Sequence, residues 1–410
     1  MTVPGLGSDG HSATVARWLY CRLMRVIVGS PAYPLPPNDG AKVRWTALLR
    51  ELGSLVEMHG VFGLMPRREV RDPAFERHFN SIEIVPTPYL EVALRAGLMQ
   101  LRGWPSSFGR RATPAWRRRV VRAVSQETGA GVLLLGTSAG FIPALGQAAL
   151  LDLVDVHSRF RTLAGDRSTG RAIETAERRL VERYDVLLSS ESDRRWLVGH
   201  GADPNRLHVV PNGVDDQLLR VALAPTAPTL LFVGNLRYRP NEEALRWFIR
   251  SCWPGVQASE ARPVLRVVGY GAERLGRSSG TEVYPSVPDM LPHYAAATVA
   301  IAPLRAARGT QLKVLEAMAA GLPVVCTSPV AEGLFDDHPA LVCDEAEAFT
   351  EACRSLLRDA GARRELGDRG RDYVRRHHDW SSIARMVRDV LQGLLETRAP
   401  YRPRTQGTRL

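Results

Sequence analysis

Short apolar runs alternate with longer amphipathic stretches along the chain, and this alternation predicts strands and helices in turn. In the first half, apolar runs predict strands at residues 24–30, 55–63, 82–85, 132–136, 151–156 and 186–189. Residues 207–214 predict a last short strand followed by an Asn-Gly turn. Helical stretches, such as residues 43–53, separate several of these runs. Strands that alternate with helices are typical of parallel βα units, so a doubly wound α/β sheet is expected.

A second series of the same kind begins at residue 229. Strands are predicted at 229–236, 264–268, 281–284, 299–302 and 323–327, and helices at 241–251, 311–320, 345–358 and 381–395. Asn241 is expected to cap the first of these helices. The apolar residues of the last helix lie on one face. The predicted fold is therefore two Rossmann-like parallel-sheet domains that face a cleft.

These patterns suggest the domain organisation of the chain. We expect an N-terminal, acceptor-side domain over residues 23–216 and a C-terminal, nucleotide-sugar-binding domain over 229–378. A linker rich in Pro and Ala joins them at 217–228. A helix at 379–397 is expected to cross back to the first domain. Residues 1–22 are predicted to be a disordered leader, and 398–410 a loose basic tail.

Composition limits the function further. The chain has 410 residues, of which 45% are hydrophobic and 24% charged, enough apolar residues for ordinary cores. No apolar run reaches the length of ~18 residues that a membrane span needs. The start of the chain lacks the pattern of a signal peptide. The five cysteines are scattered without paired spacing, so neither a metal cage nor a disulfide framework is expected, and a cytoplasmic protein is predicted.

Charge is the second compositional feature. The net charge is +11, and of 54 basic Lys and Arg residues only Lys42 and Lys313 are lysine. The basic residues are spread widely, and no nucleic-acid motif accompanies them, so no nucleic-acid partner is expected. The densest basic stretch, residues 92–126, contains no acid. We interpret it as a solvated helical face, with a surface for anionic lipid or a phosphorylated acceptor as the alternative.

The stretch 302–334, APLRAARGTQLKVLEAMAAGLPVVCTSPVAEGL, carries the most informative chemistry. Lys313 and Glu316 lie three residues apart on one face of a predicted helix. Arg308 and Gly309 are in the loop before it. Because the amino end of a helix favours an anion, Lys313 suits a diphosphate, and Glu316 suits the paired hydroxyls of a ribose. The alternative is an ordinary surface ion pair between Lys313 and Glu316.

This stretch resembles the donor-binding segment of family four glycosyltransferases, which are retaining enzymes of the GT-B fold. FVGNLRYRPN at 232–241, VVPNGVD at 209–215 and the loop PPNDGAK at 36–42 resemble other parts of the same family. The similarity spans residues 24–380 and is closest to bacterial sugar transferases of exopolysaccharide clusters. It implies a metal-independent hexosyltransferase without a cofactor, whose donor is a nucleotide diphosphate sugar.

The sequence departs from the family at one position. The usual signature is two glutamates separated by seven residues, and Glu316 matches the second, which contacts the nucleotide ribose. The first falls on Arg308, so the family's contact to the donor sugar does not carry over. Arg308 could bind an acidic sugar or the phosphates instead.

The resemblance implies further donor-binding residues in the second domain. Arg237, with Arg239 as a close competitor, is expected to hold the diphosphate. Lys313 is not at the usual spacing of the family's second basic residue, but its place on the anion-facing helix supports the same role. A solvated loop residue is the alternative for Arg237. The other donor-binding positions are in the adjoining loops: Gly234, Asn235, Gly269, Gly309, Thr310 and Gln311.

The first domain contributes candidates at three places. The resemblance implies that His157 either polarises a sugar hydroxyl or stabilises positive charge at the anomeric carbon through its carbonyl, and a structural role is the alternative. Asp155 either orients His157 or caps the next helix. Ser190 and Glu191 are expected to line the cleft. Asn38, Asp39, Gly40 and Lys42 form a loop beside the donor phosphate and the acceptor, with a helix cap as the alternative for Asp39.

Together these features predict a retaining transfer in which the departing phosphate takes the acceptor proton. The acceptor is a hydroxyl of a glycan, a lipid-linked sugar or a small molecule, in exopolysaccharide, glycolipid or antibiotic biosynthesis. Peripheral contact with the inner face of the membrane is an interpretation of the basic stretch. The alternatives are a GT-B phosphorylase or epimerase, and a non-catalytic protein that binds sugar nucleotides.

Overall fold

The computed structural model describes residues 24–37, 39–66, 68–101, 105, 108–142, 145, 148–163, 166–275, 280–307 and 309–397. The predicted leader and tail, and the candidate site residues Asn38 and Arg308, lie outside this part of the chain.

The first domain is built on a parallel sheet in the order β3-β2-β1-β4-β5-β6-β7. Its strands are β1 Arg25–Ser30, β2 Glu57–Leu64, β3 Ser81–Pro86, β4 Gly131–Leu135, β5 Ala149–Val154, β6 Asp185–Leu188 and β7 Leu207–Val209. The helices are α1 Gly40–Leu52, α2 Pro73–Glu76, α3 Tyr89–Leu101, α4 Pro114–Gln126, α5 His157–Leu163, α6 Arg167–Val181, α7 Glu191–Gly199 and α8 Asp216–Leu219. Central strands such as β4 are buried along their whole length, which explains their continuous apolar sequence.

The second domain has a parallel sheet in the order β10-β9-β8-β11-β12-β13. Its strands are β8 Thr229–Val233, β9 Val264–Val268, β10 Thr281–Tyr284, β11 Val299–Ala302, β12 Val324–Cys326 and β13 Leu341–Val342. The helices are α9 Arg239–Ser251, α10 Trp253–Gln257, α11 Leu291–Ala295, α12 Leu312–Ala319, α13 Ser328–Ala331, α14 Ala346–Arg358 and α15 Ala360–His377. The predicted class, two doubly wound α/β sheets, is confirmed.

Two predicted helix starts were wrong. Helix α1 begins at Gly40 rather than at residue 43, directly after the Asp39 cap. Helix α9 begins at Arg239 with Tyr238 as its N-cap, because Pro240 occupies the first turn, where its fixed φ suits a helix and its missing N–H costs nothing. Asn241 is therefore inside the helix. Its side-chain Nδ2 donates to the carbonyl of Asn235 at 3.0 Å, and its Oδ1 accepts from Lys313 Nζ in the second domain's candidate site.

The chain passes between the domains twice, and the two passages run side by side. The backbone N–H of Val214 donates to the carbonyl of His378 at 2.9 Å, and Val214 forms a parallel bridge with Asp379. Helix α16, Trp380–Thr397, then packs against the first domain. Its apolar face joins the core around β1, β4 and α1, through Ile383, Val387, Leu391 and Leu394.

Side chains also join the domains directly. The Thr310 hydroxyl lies 3.0 Å from the carbonyl oxygen of Ser189. Arg159 of the first domain contacts Asp193 at 3.1 Å and also pairs with Glu332 of the second domain. The Thr310 contact holds the loop before α12 against the carboxyl end of β6, and the Arg159 pair joins α5 to the residue that follows α13.

Candidate functional site

A cavity of about 880 Å³ lies between the carboxyl ends of the two sheets, and we call it the cleft. In open parallel sheets this is the edge at which ligands bind. The described lining includes predicted site residues from both domains: Asp39, Gly40, His157, Gly234, Asn235, Thr310, Gln311 and Lys313. The fold therefore brings together residues that are separated by more than half of the chain.

Lys313 enters the cleft from the first turn of α12. Its Nζ donates to Asn241 Oδ1 at 2.7 Å and lies 5.5 Å from the centroid of the Phe232 ring. Burial lowers the pKa of Lys313 to about 7, although the nearby Glu316 carboxylate acts in the opposite direction. The hydrogen-bond partner is a neutral amide, so an anion entering the cleft would stabilise the protonated amine.

Glu316 lies one turn further along α12. Its Oε2 accepts a hydrogen bond from the Tyr294 hydroxyl at 2.6 Å. Burial raises the pKa of Glu316, while the Tyr294 hydrogen bond lowers it. Because Lys313 and Glu316 are partly buried and each has a different hydrogen-bond partner, their arrangement differs from an ordinary surface ion pair.

Glu316 lines a second cavity of about 470 Å³. This cavity and the cleft share Leu312 in their linings, together with Pro37 and Val43 of the first domain. Lys313 and Glu316 therefore face adjoining spaces on the same side of α12, and a ligand that touches both must extend past Leu312.

The two candidate arginines lie at the rim of the second domain. The guanidinium carbon of Arg237 lies 3.9 Å from the centroid of the Tyr270 ring, a cation–π contact on an exposed loop. Arg239 pairs with Glu243 at 2.6 Å on an exposed face of α9. Neither arginine is among the described residues that line the cleft.

Gly234 and Gly269 follow β8 and β9 and pack backbone against backbone. Gly269 has φ 142°, and a Cβ there would lie 2.2 Å from the carbonyl oxygen of Gly234. Only glycine fits this close approach. The loop beside it is held by Asn235, whose Oδ1 accepts from the Arg237 N–H at 2.9 Å.

Gly309 packs tightly against the first domain. It has φ 51°, and a Cβ there would lie 1.8 Å from Asp155 Oδ1. Asp155 also accepts from the Ser189 hydroxyl at 3.1 Å. Thr310 and Gln311 complete the loop before α12, and Thr310 is buried in the contact with Ser189.

His157 is half-buried at the start of α5 and lines the cleft. Its backbone N–H donates at 2.7 Å to Glu177, which also accepts from the Ser158 hydroxyl at 2.6 Å. Burial raises the pKa of Glu177 to about 7 despite these donors. Glu177, in α6, therefore holds the first turn of α5 through these hydrogen bonds. Asp155, just before α5, instead accepts a hydrogen bond from Ser189 at the end of the neighbouring strand.

The loop before α1 supplies a cap and a buried cation. Asp39 is the N-cap of α1, and its Oδ1 accepts from the Lys42 N–H at 2.9 Å. Gly40 lines the cleft, where a Cβ would meet only Leu312 of the other domain, at 3.9 Å. Lys42 points away from the cleft, with its Nζ 3.4 Å from Glu69 Oε1.

Ser190 and Glu191 have local roles at the start of α7. The Ser190 hydroxyl caps the helix by accepting from the Asp193 N–H at 3.3 Å. Glu191 pairs with Arg194 at 3.0 Å. Neither residue is among the described residues of the cleft lining, whereas the preceding Ser189 contacts both Asp155 and Thr310.

Other residues of the site were missed by sequence reasoning. Arg44 of α1 is fully buried and bonds Asp152 at 3.0 Å and Asn212 Oδ1 at 3.0 Å. Asn212 in turn directs its Nδ2 towards the carbonyl of Thr310 at 3.5 Å. Asn212 belongs to the Pro-Asn-Gly motif, so the sequence predicts a turn there. Its partners Arg44 and Thr310 could not be predicted, because they are distant in the chain.

Comparison with known proteins assigns part of the chain. Residues 227–359 match the family model described as "Glycosyl transferases group 1". A D-inositol 3-phosphate glycosyltransferase of Geodermatophilus obscurus is 32% identical over 255 residues, which cover 54% of this chain and 55% of that protein. The chain thus spans about half the length of this relative. The resemblance to these glycosyltransferases is confirmed, and the link to exopolysaccharide stays a prediction.

Solved structures show the fold. A complex of Anabaena Alr3699/HepE with UDP-glucose aligns at a TM-score of 0.63 and 14% identity, covering 90% of this chain and 100% of that one. An α,α-trehalose-phosphate synthase (UDP-forming) from Burkholderia vietnamiensis aligns at 0.60 and 13% identity, covering 91% and 100%. The predicted GT-B fold is confirmed by these similarities.

Proposed function

We propose that this chain, which carries a group 1 glycosyltransferase domain over residues 227–359, transfers a sugar from a nucleotide diphosphate sugar to an acceptor hydroxyl. The observation that carries the proposal is Lys313, a partly buried amine bonded to a neutral amide at the amino end of α12, in the cleft between the two sheets. The UDP-glucose complex of the Anabaena protein and the UDP-forming trehalose-phosphate synthase support a UDP-sugar as the first donor to test.

The donor would lie along α12. Lys313 offsets the charge of the diphosphate, and Glu316, in the adjoining cavity, accepts hydrogen bonds from the ribose hydroxyls. Arg237 is placed to meet the outer phosphate only if its loop moves inwards from Tyr270. Since negative charge on the diphosphate grows as the glycosidic bond breaks, Lys313 stabilises the transition state more than the bound substrate.

The transfer proceeds with retention and without a metal or cofactor in this proposal. The acceptor approaches from the first domain, and its oxygen attacks the anomeric carbon on the face that the diphosphate leaves. The acceptor proton passes to the departing phosphate oxygen, so the enzyme needs no separate base. The His157 carbonyl or ring stabilises the developing positive charge of the sugar. In a hexosyltransferase assay, full activity of the protein in EDTA supports this scheme. Activity that is lost in EDTA and restored by added Mg²⁺ contradicts it.

The acceptor belongs to bacterial exopolysaccharide or glycolipid assembly, with an antibiotic or other secondary metabolite as the second candidate. Peripheral contact with the inner face of the membrane fits α3. This helix exposes Leu90, Leu94 and Leu101, at 71, 67 and 86% exposure, and the next helix along the chain, α4, is rich in arginine. Among the described helices, none is long and apolar enough to span a bilayer. Co-sedimentation with anionic but not neutral vesicles at low salt tests this contact.

The decisive experiment combines binding and turnover. UDP, GDP, dTDP and their sugars are screened by thermal shift, and the donor that stabilises the protein is then supplied with radiolabelled sugar and acceptor extracts. We expect one base to be preferred and labelled product to form. Donor binding without product from any acceptor or water favours the non-catalytic alternative, and no binding of any nucleotide overturns the proposal.

A further inference from the structure

The backbone at the carboxyl end of β5 has an unusual conformation. Val154 has φ 67°, in the left-handed region that β-branched residues rarely occupy. The backbone N–H of Asp155 donates to the carbonyl of Leu153 at 2.9 Å, so these three residues form a γ-turn. A positive φ at the central residue marks the rare and strained form of this turn. Such a conformation persists only where the surrounding structure holds it.

The turn coincides with an irregularity in the sheet. The register between β5 and β6 shifts between Asp152 and Val154, so β5 contains one residue more than β6 opposite it. A bulge of this kind changes the direction of the side chains that follow. Beyond it, Asp155 packs against the second domain and His157 lines the cleft. The placement of both residues therefore depends on the turn.

The carboxylate of Asp152 binds the turn and α1 at the same time. Asp152 is fully buried, and its Oδ1 accepts from the Val154 N–H at 3.2 Å. Its Oδ2 accepts from Arg44 Nε at 3.0 Å and from Trp45 Nε1 at 3.2 Å, both in α1. One oxygen of the carboxylate is thus engaged by α1 and the other by the turn.

Arg44 extends this hydrogen-bond network to the turn between the domains. Its Nη1 donates to the carbonyl of Pro211 at 2.8 Å and to Asn212 Oδ1 at 3.0 Å. Trp45 and Asn212 both line the cleft. Movement of any of these groups would leave a buried polar atom without its partner, so the network favours one arrangement of the cleft wall.

We propose that Asp152 is a positioning residue for sugar transfer, which acts by holding the turn at Val154 so that His157 stays at the wall of the cleft. Its role in transfer rests on the proposed function, whereas its hold on the turn can be measured from stability alone. Because the donor diphosphate is assigned to the second domain, Asp152 should affect the rate of transfer and not the binding of nucleotide.

Asp152→Asn tests the hydrogen bond to the turn with little change in side-chain volume. An amide has one oxygen and one NH₂ group in place of the two carboxylate oxygens. When its oxygen accepts from Arg44 and Trp45, its NH₂ faces the Val154 N–H, and the bond to the turn is lost. We expect kcat to fall about ten-fold or more, the effect of misplaced reacting groups. The Kd of the preferred nucleotide, measured by calorimetry, should stay that of the unmodified protein.

Val154→Gly and Val154→Ala are the matched pair. Both remove the branched side chain, but only glycine adopts a positive φ without a steric penalty. When each is combined with Asp152→Asn, the glycine variant should have a kcat about five-fold or more above that of the alanine variant. This ratio follows from the cost of the left-handed conformation for alanine.

The same pair has a stability readout with Asp152 intact. Glycine at an ordinary strand position is less stable than alanine, whereas at a strained left-handed position the order is reversed. Urea unfolding should therefore show that Val154→Gly is more stable than Val154→Ala. If Asp152→Asn does not fold, kcat is compared in this pair instead, and the alanine variant should be slower.

Three results overturn the proposal: an unchanged kcat in Asp152→Asn, equal kcat in the glycine and alanine variants, or greater stability of the alanine variant. A loss of nucleotide affinity as large as the loss of kcat also overturns it, because general damage to the fold lowers both. Failure of the proposed function is distinguishable, since the unmodified protein would then form no product. The stability order of the matched pair would still decide whether the turn is strained.

Discussion

Lys313 donates a hydrogen bond of 2.7 Å to Asn241, and the two residues come from different helices that start at the same edge of the second sheet. The bond holds the amine of Lys313 at a fixed position in the cleft. A guanidinium at position 313 would keep the charge but not this geometry, because it is wider and forked.

Lys313→Arg should therefore reduce sugar transfer, and Lys313→Ala should reduce it by about 100-fold or more, the scale of losing one charge-stabilising donor. Asn241→Leu removes the same bond from the other side and should also lower turnover. Steady-state rates with saturating donor measure the effect, and Arg246→Gln, on an exposed face of α9 outside the cleft lining, is the matched control. Wild-type turnover in Lys313→Ala contradicts the assignment.

Nucleotide binding should depend on pH through Lys313. Its pKa in the free protein is about 7, well below its ordinary value, so the amine loses its proton as the pH rises above neutrality. A bound diphosphate favours the charged amine, so binding above pH 7 should take up a proton and weaken as the pH increases. Calorimetry in buffers with different ionisation enthalpies measures this uptake. The uptake should disappear in Lys313→Ala, and its persistence there would assign it to another group.

Glu177 should make the free energy of unfolding fall as the pH rises, whereas a carboxylate with a lowered pKa makes it fall as the pH drops. Its folded pKa, about 7, is above the unfolded value, so the folded state binds more protons between about pH 4.5 and 7. The contribution of Glu177 is therefore fully present at low pH and is lost as the pH rises through 7. Urea unfolding at several pH values should show a shallower fall for Glu177→Gln than for the unmodified protein. An unchanged slope would show that another group is responsible.

Arg159 offers a matched pair of substitutions at the contact between the domains. Arg159→Ala leaves the buried carboxylate of Asp193, whose pKa burial already raises to about 6, without its cation, and should destabilise the protein by about 3 kcal/mol. Glu332→Gln removes only the half-exposed partner and should cost less than about 1 kcal/mol. Chemical denaturation measures both. Similar losses would mean that the Glu332 pair, rather than Asp193, determines the effect.

The sequence predicted the structure best where neighbouring residues alone determine it. Continuous apolar runs identified β1, β4 and β8, because central parallel strands are buried on both faces. The loop and first turns of α12 were recognised from residues adjacent in the chain, so Lys313 and Glu316 could be placed together on one helix.

The remaining site depends on partners that are distant in the chain. Asn241 looked like a helix cap, and its contact with Lys313 spans 72 positions. Ser189 and Thr310 are separated by 121 positions, and neither carries a charge or a motif that marks a contact between domains. No local pattern encodes such pairs, because they result from how two separate sheets are docked.

The two passages of the chain between the domains limit how the domains can move relative to each other. A single flexible connection would allow the domains to bend, twist and slide. Here the segments at Val214 and at His378–Asp379 are bonded to each other, and α16 anchors the second one to the first domain. Because the two crossings are bonded to each other, we expect any opening of the cleft to be a rotation about them, which would move Gly309 away from Asp155.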